Sequence, residues 1–522
     1  MGRHATRQTD SRNSSRRLPA ELAIYRADTH RHVIPRLFGR GDLVLLGLGV
    51  MIGAGIFTLA AEQAAASAGP AVIVSFLVAG LVCLLAAMSY AELSSAIPVA
   101  GSAYTFSYVI FGEFWAWLVG WALLLELVLA AAVVSRSWSE YLVATLDGFG
   151  VRLPDSIGSL LHFDSAVNVG SVVLIALLTL VVATGTRLSV RVIRAVVIAK
   201  VAVVVFIVLL GALYIHLRNY TPFIPPAKPG SGTDPGVVLE HLTGSVGHQY
   251  GLFGIFAAAG VVTFAFIGFD LIATAAEDAR EPRRAVPWGM LLGVGLVTLV
   301  YLAMAIVIVG IRPYTKLATG ASVSAAFAAV GLGWAAKVIN VGALLALTTV
   351  VMVVLIALSR VVFAMGRDGL LPTGLSHVNR RFYSPARATV LAGCAAAVLS
   401  LYPRVGDLAE ALVLGALFAF VFCSVGVLVL RRTQPRMPRG FRMPGVPQLP
   451  ILAICAIGWL MLNLHVATWR NFLVWMLVGV LVYLVYGRRH SRLHRGEEPE
   501  VIPPEPGTAP GTPPGAQNPQ MW

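Results

Sequence analysis

A chain of 522 residues with 57% hydrophobic and only 12% charged side chains, at a mean hydropathy of +0.80, is excluded from the class of soluble globular proteins and reads as a helical integral membrane protein. Its net charge of +14 suggests nucleic acid, but of the 39 basic residues only Lys200 lies well inside an apolar run, so the charge serves orientation in a membrane. The four cysteines, Cys83, Cys394, Cys423 and Cys455, sit far apart in apolar runs. That spacing excludes a metal cluster and reads them as small core residues.

Residues 1–41 are polar and carry nine arginines and no lysine. No apolar stretch with a cleavage site follows them. The segment therefore reads as a basic cytoplasmic leader, partly disordered and resting on anionic lipid, and not as a removed signal peptide. Gly41-Asp42 then offers an N-cap. The run from Leu43 to Ala68 is 26 residues long with one acid, Glu62, near its far end. At about 1.5 Å per residue it exceeds the roughly 30 Å of a bilayer core.

Inside this first span stands Gly53-Ala54-Gly55. Two glycines are poor helix formers and leave the backbone bare. If the helix opens here, the amides of Ala54, Gly55 and Ile56 lose their intrahelical partners. In lipid such a break is tolerated where it lines a cavity, and the new helix N-terminus attracts an anionic group. The other reading is close packing against a neighbouring helix, since Gly49 and Gly53 form a small-xxx-small pair. A nucleotide-binding glycine loop is excluded, because no strand precedes it.

Further spans are expected over about 72–97, 113–135, 167–185, 192–214, 250–275, 287–311, 335–358, 386–402, 408–430, 449–466 and 471–487, twelve in all. The Pro- and Gly-rich 221–236 reads as an exposed loop, and 314–333 as a short surface or re-entrant helix. The tail from Gly496 has eight prolines and no periodicity, and is expected to be disordered. Twelve spans put both termini on one side. With that side inside, 29 basic residues fall in inner segments and 9 in outer ones, which makes both termini cytoplasmic.

The sixth span repeats the peculiarity of the first, with Gly268 near its middle flanked by small and aromatic residues. Five spans separate the two, so the second unit is inverted. Paired interrupted helices in corresponding positions point to a transporter with inverted repeats.

Several strings carry a closer likeness. Gly53-Ala54-Gly55-Ile56-Phe57 resembles the first-helix signature of the amino acid–polyamine–organocation (APC) superfamily. Phe264-Ala265-Phe266-Ile267-Gly268-Phe269-Asp270, with Ala275-Ala276-Glu277-Asp278 and the run from Glu281 to Pro287, resembles its sixth helix and the loop behind it. The segment from Arg360 to Pro372 resembles the loop after the eighth helix. Pro385 to Thr389, Phe441 to Pro444 and Pro447 to Pro450 are similar to the cationic amino acid transporter (CAT) branch. The match runs from Asp42 to the twelfth span and leaves both tails uncovered.

The resemblance implies an all-α polytopic membrane protein with 12 transmembrane helices: a LeuT-type 5+5 inverted repeat plus two C-terminal helices. On this chain the permease domain is 42–487, with repeats at about 42–215 and 248–430 and the extra helices at 449–487. A leader of 1–41 and a basic, then Pro-rich cytoplasmic tail of 488–522 flank it. It also implies a substrate site at the two breaks, Ile52, Gly53, Ala54, Gly55 and Ile56 in the first and Phe264, Ala265, Phe266, Ile267 and Gly268 in the second. Within it the substrate carboxylate meets Ala54, Gly55 and Ile56, and the ammonium meets carbonyls of Phe264, Ala265 and Ile267. Phe264 is a candidate lid, against the plain alternative of packing.

Ionisable groups inside the membrane are costly and point to function. Lys200 lies about eight residues into the fifth span, roughly 12 Å from its inner end. Desolvation penalises its charged form, which proton exchange requires, and in proton-coupled relatives a lysine here replaces a bound sodium ion. The alternative is snorkelling to the interface. Glu126 in the third span reads as paired structurally or as part of transport. Asp270 reads as a cap for the second half-helix, or as a contact for a cationic side chain. Glu277, Asp278, Arg283 and Arg284 are expected in gate or loop pairs.

These readings converge on a secondary transporter importing amino acids by proton symport at the cell membrane, with an exchanger or facilitator as the alternative. Substrate, protons and lipids are the expected partners; no cofactor, metal, nucleic acid or obligate protein partner is expected. An enzyme is disfavoured by the lack of a Ser/His/Asp or metal-type cluster outside the spans, and an ATP-driven pump by the lack of a Walker-type loop.

Overall fold

The computed structural model describes residues 39–495 apart from 100, 152–153, 155–157, 159, 162–166, 186–189, 230–235, 245–247, 277–278, 318–322, 379–384 and 403–404, together with 17–20 and 23. Most of the leader, and the tail beyond Arg495, therefore lie outside the described residues. Leu18, Ala20 and Ala23 are nonetheless buried, and the Leu18 amide donates to Tyr108 O at 3.3 Å.

α1 (Arg40–Met51) opens at Gly39, whose amide donates to Asp42 Oδ2 at 3.0 Å. After Met51 the chain leaves the helix. It resumes from Gly55 to Ala68 as wide π-type turns around a short α stretch, Ala60–Gln63. Gly69, at φ +61°, turns it into α2 (Val72–Ala96). α3 (Ser102–Ile110) was not expected from its weakly polar sequence. Gly101 (φ +113°) and Gly112 (φ +102°) bracket it, and every residue in it is buried.

α4 (Glu113–Gly148) runs well past the expected end at 135. The polar residues at that expected end, Ser135-Arg136-Ser137, are satisfied within the protein: Ser135 Oγ donates to Ala132 O at 2.8 Å, and Arg136 Nε to Ser400 O at 2.6 Å. Arg136 is fully buried, so Lys200 is not the one basic residue inside an apolar segment. α5 (Val169–Ala183) starts from Asn168, whose Oδ1 accepts the Ser171 amide at 2.8 Å, and α6 (Val190–Ala212) follows.

The loop after α6 holds a two-residue antiparallel pairing, Lys228–Pro229 with His248–Gln249, and a short helix, Val238–Thr243. Next come α7 (Gly251–Val262), α8 (Pro282–Ile311), a short helix Val323–Ala329 and α9 (Gly333–Arg367). α10 (Ala386–Leu399), α11 (Val405–Thr433), α12 (Gln448–Leu462) and α13 (Val466–Val482) complete the order.

Among the described residues, eight helical segments are long and apolar enough to cross a membrane, and α5, α10 and α12 are shorter apolar helices. The chain is a multi-pass helical membrane protein. Cys394 and Cys455 are exposed, on the outer faces of α10 and α12, unlike the buried Cys83 and Cys423, so the reading of all four as core residues holds only for the latter two.

Two layers position the centre. α1, α2, α7 and α8 form a bundle in which α8 packs on α2 and α1. α4, α5, α9 and α10 form a scaffold in which α9 packs on α4 and α10 on α5. A buried ionic knot ties the C-terminal end of α2 to α11. Glu92 accepts Arg431 Nε and Nη2 at 2.8 and 2.7 Å and the Met443 amide at 2.8 Å, with Arg439 Nε 3.3 Å away. Satisfying every oxygen in this way is what makes a buried carboxylate tolerable.

α13 clips onto α4 through indoles. Trp121 and Trp475 stack at 4.7 Å, and each donates its Nε1–H to the other's carbonyl, at 2.9 and 3.1 Å. Trp117 Nε1 donates to Gly479 O at 2.8 Å, and a Cβ on Gly479 would fall 2.4 Å from Trp121 Cδ1. Gly479→Val is therefore expected to cost about 1–3 kcal/mol by overpacking. The check is the melting temperature of the detergent-solubilised protein, which should fall by at least about 2 °C.

Candidate functional site

The first break has two origins in glycine. α1 ends where Ile52 turns to ψ 85°, and Gly53 lies outside any helix. Among the described residues, the amides of Gly53 and Ala54 find no backbone carbonyl. The Ile56 amide does not stay free as expected: it closes a turn onto Gly53 O at 3.3 Å. A Cβ on Gly55 would fall 2.4 Å from Ala265 Cβ and 2.5 Å from Ala265 Cα, so this glycine lets the two breaks touch backbone to backbone. The packing alternative also holds one turn earlier, where Gly49 receives Val197 Cγ2 at 2.6 Å from an ideal Cβ.

The second break is built differently. α7 tightens into a 3₁₀ turn over Thr263–Phe266, Ile267 is extended, and Gly268 adopts φ +124°, which side-chain-bearing residues rarely reach. A Cβ on Gly268 would lie 2.5 Å from Val50 Cγ1, so this position too is pressed against the first span. Helix resumes at Leu271–Thr274. Asp270 Oδ1 accepts the Gly268 amide at 3.1 Å, a bond within the break, and the side chain makes no cap bond to the half-helix that follows. Its Oδ2 has no partner among the described residues.

One side chain that sequence reasoning missed joins the breaks. The Tyr301 hydroxyl, from α8, reaches both Met51 O and Ala265 O, the latter at 2.8 Å. Its ring packs edge-on against Phe266 at 5.1 Å and Phe76 at 5.7 Å. A lone tyrosine in an apolar span gives no signal in sequence. Of the carbonyls expected for an ammonium, that of Ala265 thus already accepts one hydrogen bond, and Phe264 O accepts from the Ile267 amide at 3.2 Å. Each keeps a second lone pair.

A small cavity lies between the breaks. Gly53, Ala54 and Gly55 line it from one side, and Phe264, Ala265, Ile267 and Gly268 from the other. α4 adds Leu127, Ala130 and Val134, and α9 adds Val350 and Val354. Ile52, Ile56 and Phe266 do not line it; all three are buried elsewhere in the core.

Lys200 does not snorkel. Its Nζ donates to Gly49 O at 2.7 Å, tying α6 to α1 one turn below the break. Glu126 is fully buried, and neither carboxylate oxygen has a partner among the described residues, so the expected pairing is not seen. Glu277 and Asp278 lie outside the described residues. Among those described, Arg283 and Arg284 form no ion pair; at the start of α1, Arg40 pairs with Glu281 at 2.7 Å and Arg194 with Asp42 at 2.6 Å. The hydrogen bond and charge of Arg40 hold the Glu281 carboxyl below its usual range.

Comparison with known proteins agrees with this architecture. A profile of the family described as amino acid permease matches residues 38–483. The chain is 38% identical over 476 residues to the methylthioribose transporter of Bacillus subtilis, covering 91% of this chain and 98% of that protein. It is 38% identical over 467 residues to the branched-chain amino acid permease BcaP of Bacillus subtilis, covering 88% and 95%. It is 29% identical over 601 residues to the mitochondrial cationic amino acid transporter 3 of Arabidopsis thaliana, covering 92% and 96%.

Because Gly55 meets backbone and not a flexible side-chain end, even Gly55→Ala should force the breaks apart, and Gly55→Leu more so. Both variants are expected to reach the membrane and lose ligand binding by at least about tenfold, roughly 1.4 kcal/mol. Ligand-induced thermal stabilisation of the purified variants measures this.

Proposed function

The chain belongs to the amino acid permease family, within the APC superfamily and its cationic amino acid transporter branch, and on that premise we propose that it is a secondary transporter importing α-amino acids by proton symport. The observation that carries this reading is the meeting of two broken helices around one cavity. The unpaired amides of Gly53 and Ala54 suit a carboxylate, and the second-break carbonyls, with lone pairs to spare, suit an ammonium.

The proposal includes twelve spans in a LeuT-type 5+5 inverted repeat with two further helices, and both termini cytoplasmic in the plasma membrane. Support comes from the pairing of equivalent helices: α2 packs on α8, α4 on α9 and α5 on α10, each about five spans apart. The 29-to-9 division of basic residues supports the orientation. On the same reading, 42–487 is the permease domain, flanked by the basic leader and the tail.

Proton coupling is assigned to Lys200. Its bond to Gly49 O joins α6 to the half-helix that leads into the carboxylate site. Protonated, it donates there; deprotonated, it holds α1 less firmly. A proton and a substrate that favour the same closed state are coupled through that helix.

The relatives' names disagree on the cargo: methylthioribose, branched-chain amino acids, cationic amino acids. Methylthioribose has neither a carboxylate nor an ammonium, so it tests the cradle directly. In proteoliposomes an α-amino acid should compete with uptake, while its ester, its des-amino analogue and methylthioribose should compete at least about tenfold less well. Equal competition by the ester would rule out the amide cradle.

Lys200→Ala and Lys200→Arg should each lose accumulation driven by an inward proton gradient while still binding substrate, since a guanidinium does not release its proton. Substrate-driven proton uptake by proteoliposomes is the measurement. Wild-type accumulation by Lys200→Arg would return the protein to the exchanger or facilitator reading.

A further inference from the structure

Three side chains that meet behind the second break carry buried polar atoms with no hydrogen-bond partner among the described residues. They are Glu126, with both carboxylate oxygens, Asp270, with Oδ2, and Tyr90, with its hydroxyl. Glu126 and Tyr90 are completely buried and Asp270 nearly so. They come from α4, from the break itself and from α2. Glu126 and Asp270 lie close enough to interact electrostatically, and Tyr90 interacts with both. The Tyr90 ring is held edge-on against Phe269 at 5.6 Å and Phe420 of α11 at 5.5 Å. Cys423, also from α11, lies beside the Tyr90 hydroxyl, and Glu126 Cβ faces the same helix, 3.6 Å from an ideal Cβ on Gly415. Among the described residues, no basic group faces either carboxyl.

Buried polar groups are ordinarily paired, and two carboxylates cannot both be ionised in one apolar chamber that holds no cation. The two carboxyls are not equivalent. Asp270 Oδ1 accepts the Gly268 amide, and an amide donor suits the ionised form. Glu126 meets no donor at either oxygen, which suits the acid. A carboxylic acid has one O–H to give, and a phenol both donates and accepts. With one proton on Glu126, the three side chains hold two O–H donors and enough lone pairs to take them.

We propose that Glu126 is a second proton site of the transport cycle, beside Lys200, and that Asp270 links it to the substrate. None of Glu126, Asp270 and Tyr90 lines the cavity, but Gly268, Leu127 and Leu271 do, and Asp270 holds the Gly268 amide. Glu126 therefore acts on the second break without touching the substrate, whereas Lys200 acts on the first break through Gly49 O. In the closed protein the proton stays on Glu126. When the break moves and water reaches the chamber, the O–H bond of Glu126 breaks, its electron pair stays on the carboxylate, and the proton leaves to the open side. Closing again requires a proton to return. Proton and substrate thus favour the same closed state through Asp270, which is a coupling between two sites. This rests on the reading of the breaks as the substrate site.

The test uses the full chain in proteoliposomes under one pH gradient, with labelled leucine as the probe and labelled arginine where leucine is not accumulated. Proton and label fluxes measured together give the number of protons moved per amino acid. Glu126→Gln keeps the shape and removes the titrating group, so it should lower that number by about one, and Glu126→Asp should restore it. Both variants should still be stabilised thermally by the amino acid. An unchanged proton number in folded Glu126→Gln would overturn the proposal and leave Glu126 a neutral structural acid. Loss of thermal stabilisation in that variant would also overturn it, because it would place Glu126 in the substrate site. Infrared difference spectra of the wild type, with and without the amino acid, should show a change in a protonated-carboxyl band. A flat spectrum there would overturn the proposal even where the variants fail to fold. If neither amino acid is accumulated or stabilises the wild type, the reading of the breaks falls, and this proposal falls with it.

Discussion

Two helices that break inside an apolar interior expose more backbone polar groups than they can satisfy alone, and everything around the centre of this protein answers that problem. Outside water, each unsatisfied amide or carbonyl costs several kcal/mol, so a break survives only against a partner or a cavity. Here both partners are used. Gly55 is pressed on Ala265, Gly268 on Val50, and the Tyr301 hydroxyl reaches one carbonyl from each break. What remains unsatisfied, the amides of Gly53 and Ala54, belongs to the segment that lines the cavity.

The surrounding helices keep those contacts in register. α1 is packed so closely that glycine is needed on both sides of its interfaces. An ideal Cβ on Gly47 falls 2.6 Å from Ile272 Cδ1, and one on Gly289 falls 3.0 Å from Leu43 Cβ. α4 and α9 supply the opposite wall, and α4 is itself anchored twice, by Arg136 to Ser400 O and by the indole clip to α13. The central cavity is thus framed by a rigid wall on one side and by two short half-helices on the other.

Much of this was legible in the sequence, and the limits have physical causes. The break at Gly53 could be read because glycine in mid-membrane has few uses, and Gly268 because it repeated the pattern five spans later. Tyr301 and α3 could not be read, since an aromatic in an apolar span and nine weakly polar residues have no distinctive pattern. The end of α4 was placed too early, at 135, where the polar Ser135-Arg136-Ser137 interrupts the apolar run. Only the fold reveals that Ser400 O lies opposite Arg136. Glu126 was read as paired structurally or as part of transport, and its two oxygens face no partner among the described residues; burial can be read from a pattern, but partnership depends on which helices face each other.

The contacts on α1 are unequal, and that bears on how such a helix could move. Arg40 to Glu281 and Arg194 to Asp42 lie at the surface where α1 begins, and both arginines are at least half exposed; ion pairs so open to solvent contribute little and weaken with salt. They can bias the position of α1 but not determine it. The bond from Lys200 to Gly49 O is enclosed and lies between that surface and the break. A hydrogen bond from a charged donor is worth about 1.5–3 kcal/mol, and in an enclosed site no water replaces it when it is lost. In the proposed cycle the state of Lys200 therefore outweighs both surface pairs in holding α1. Gly49 is one helical turn from Gly53, so the same short lever that answers to the proton also carries the amides offered to the substrate.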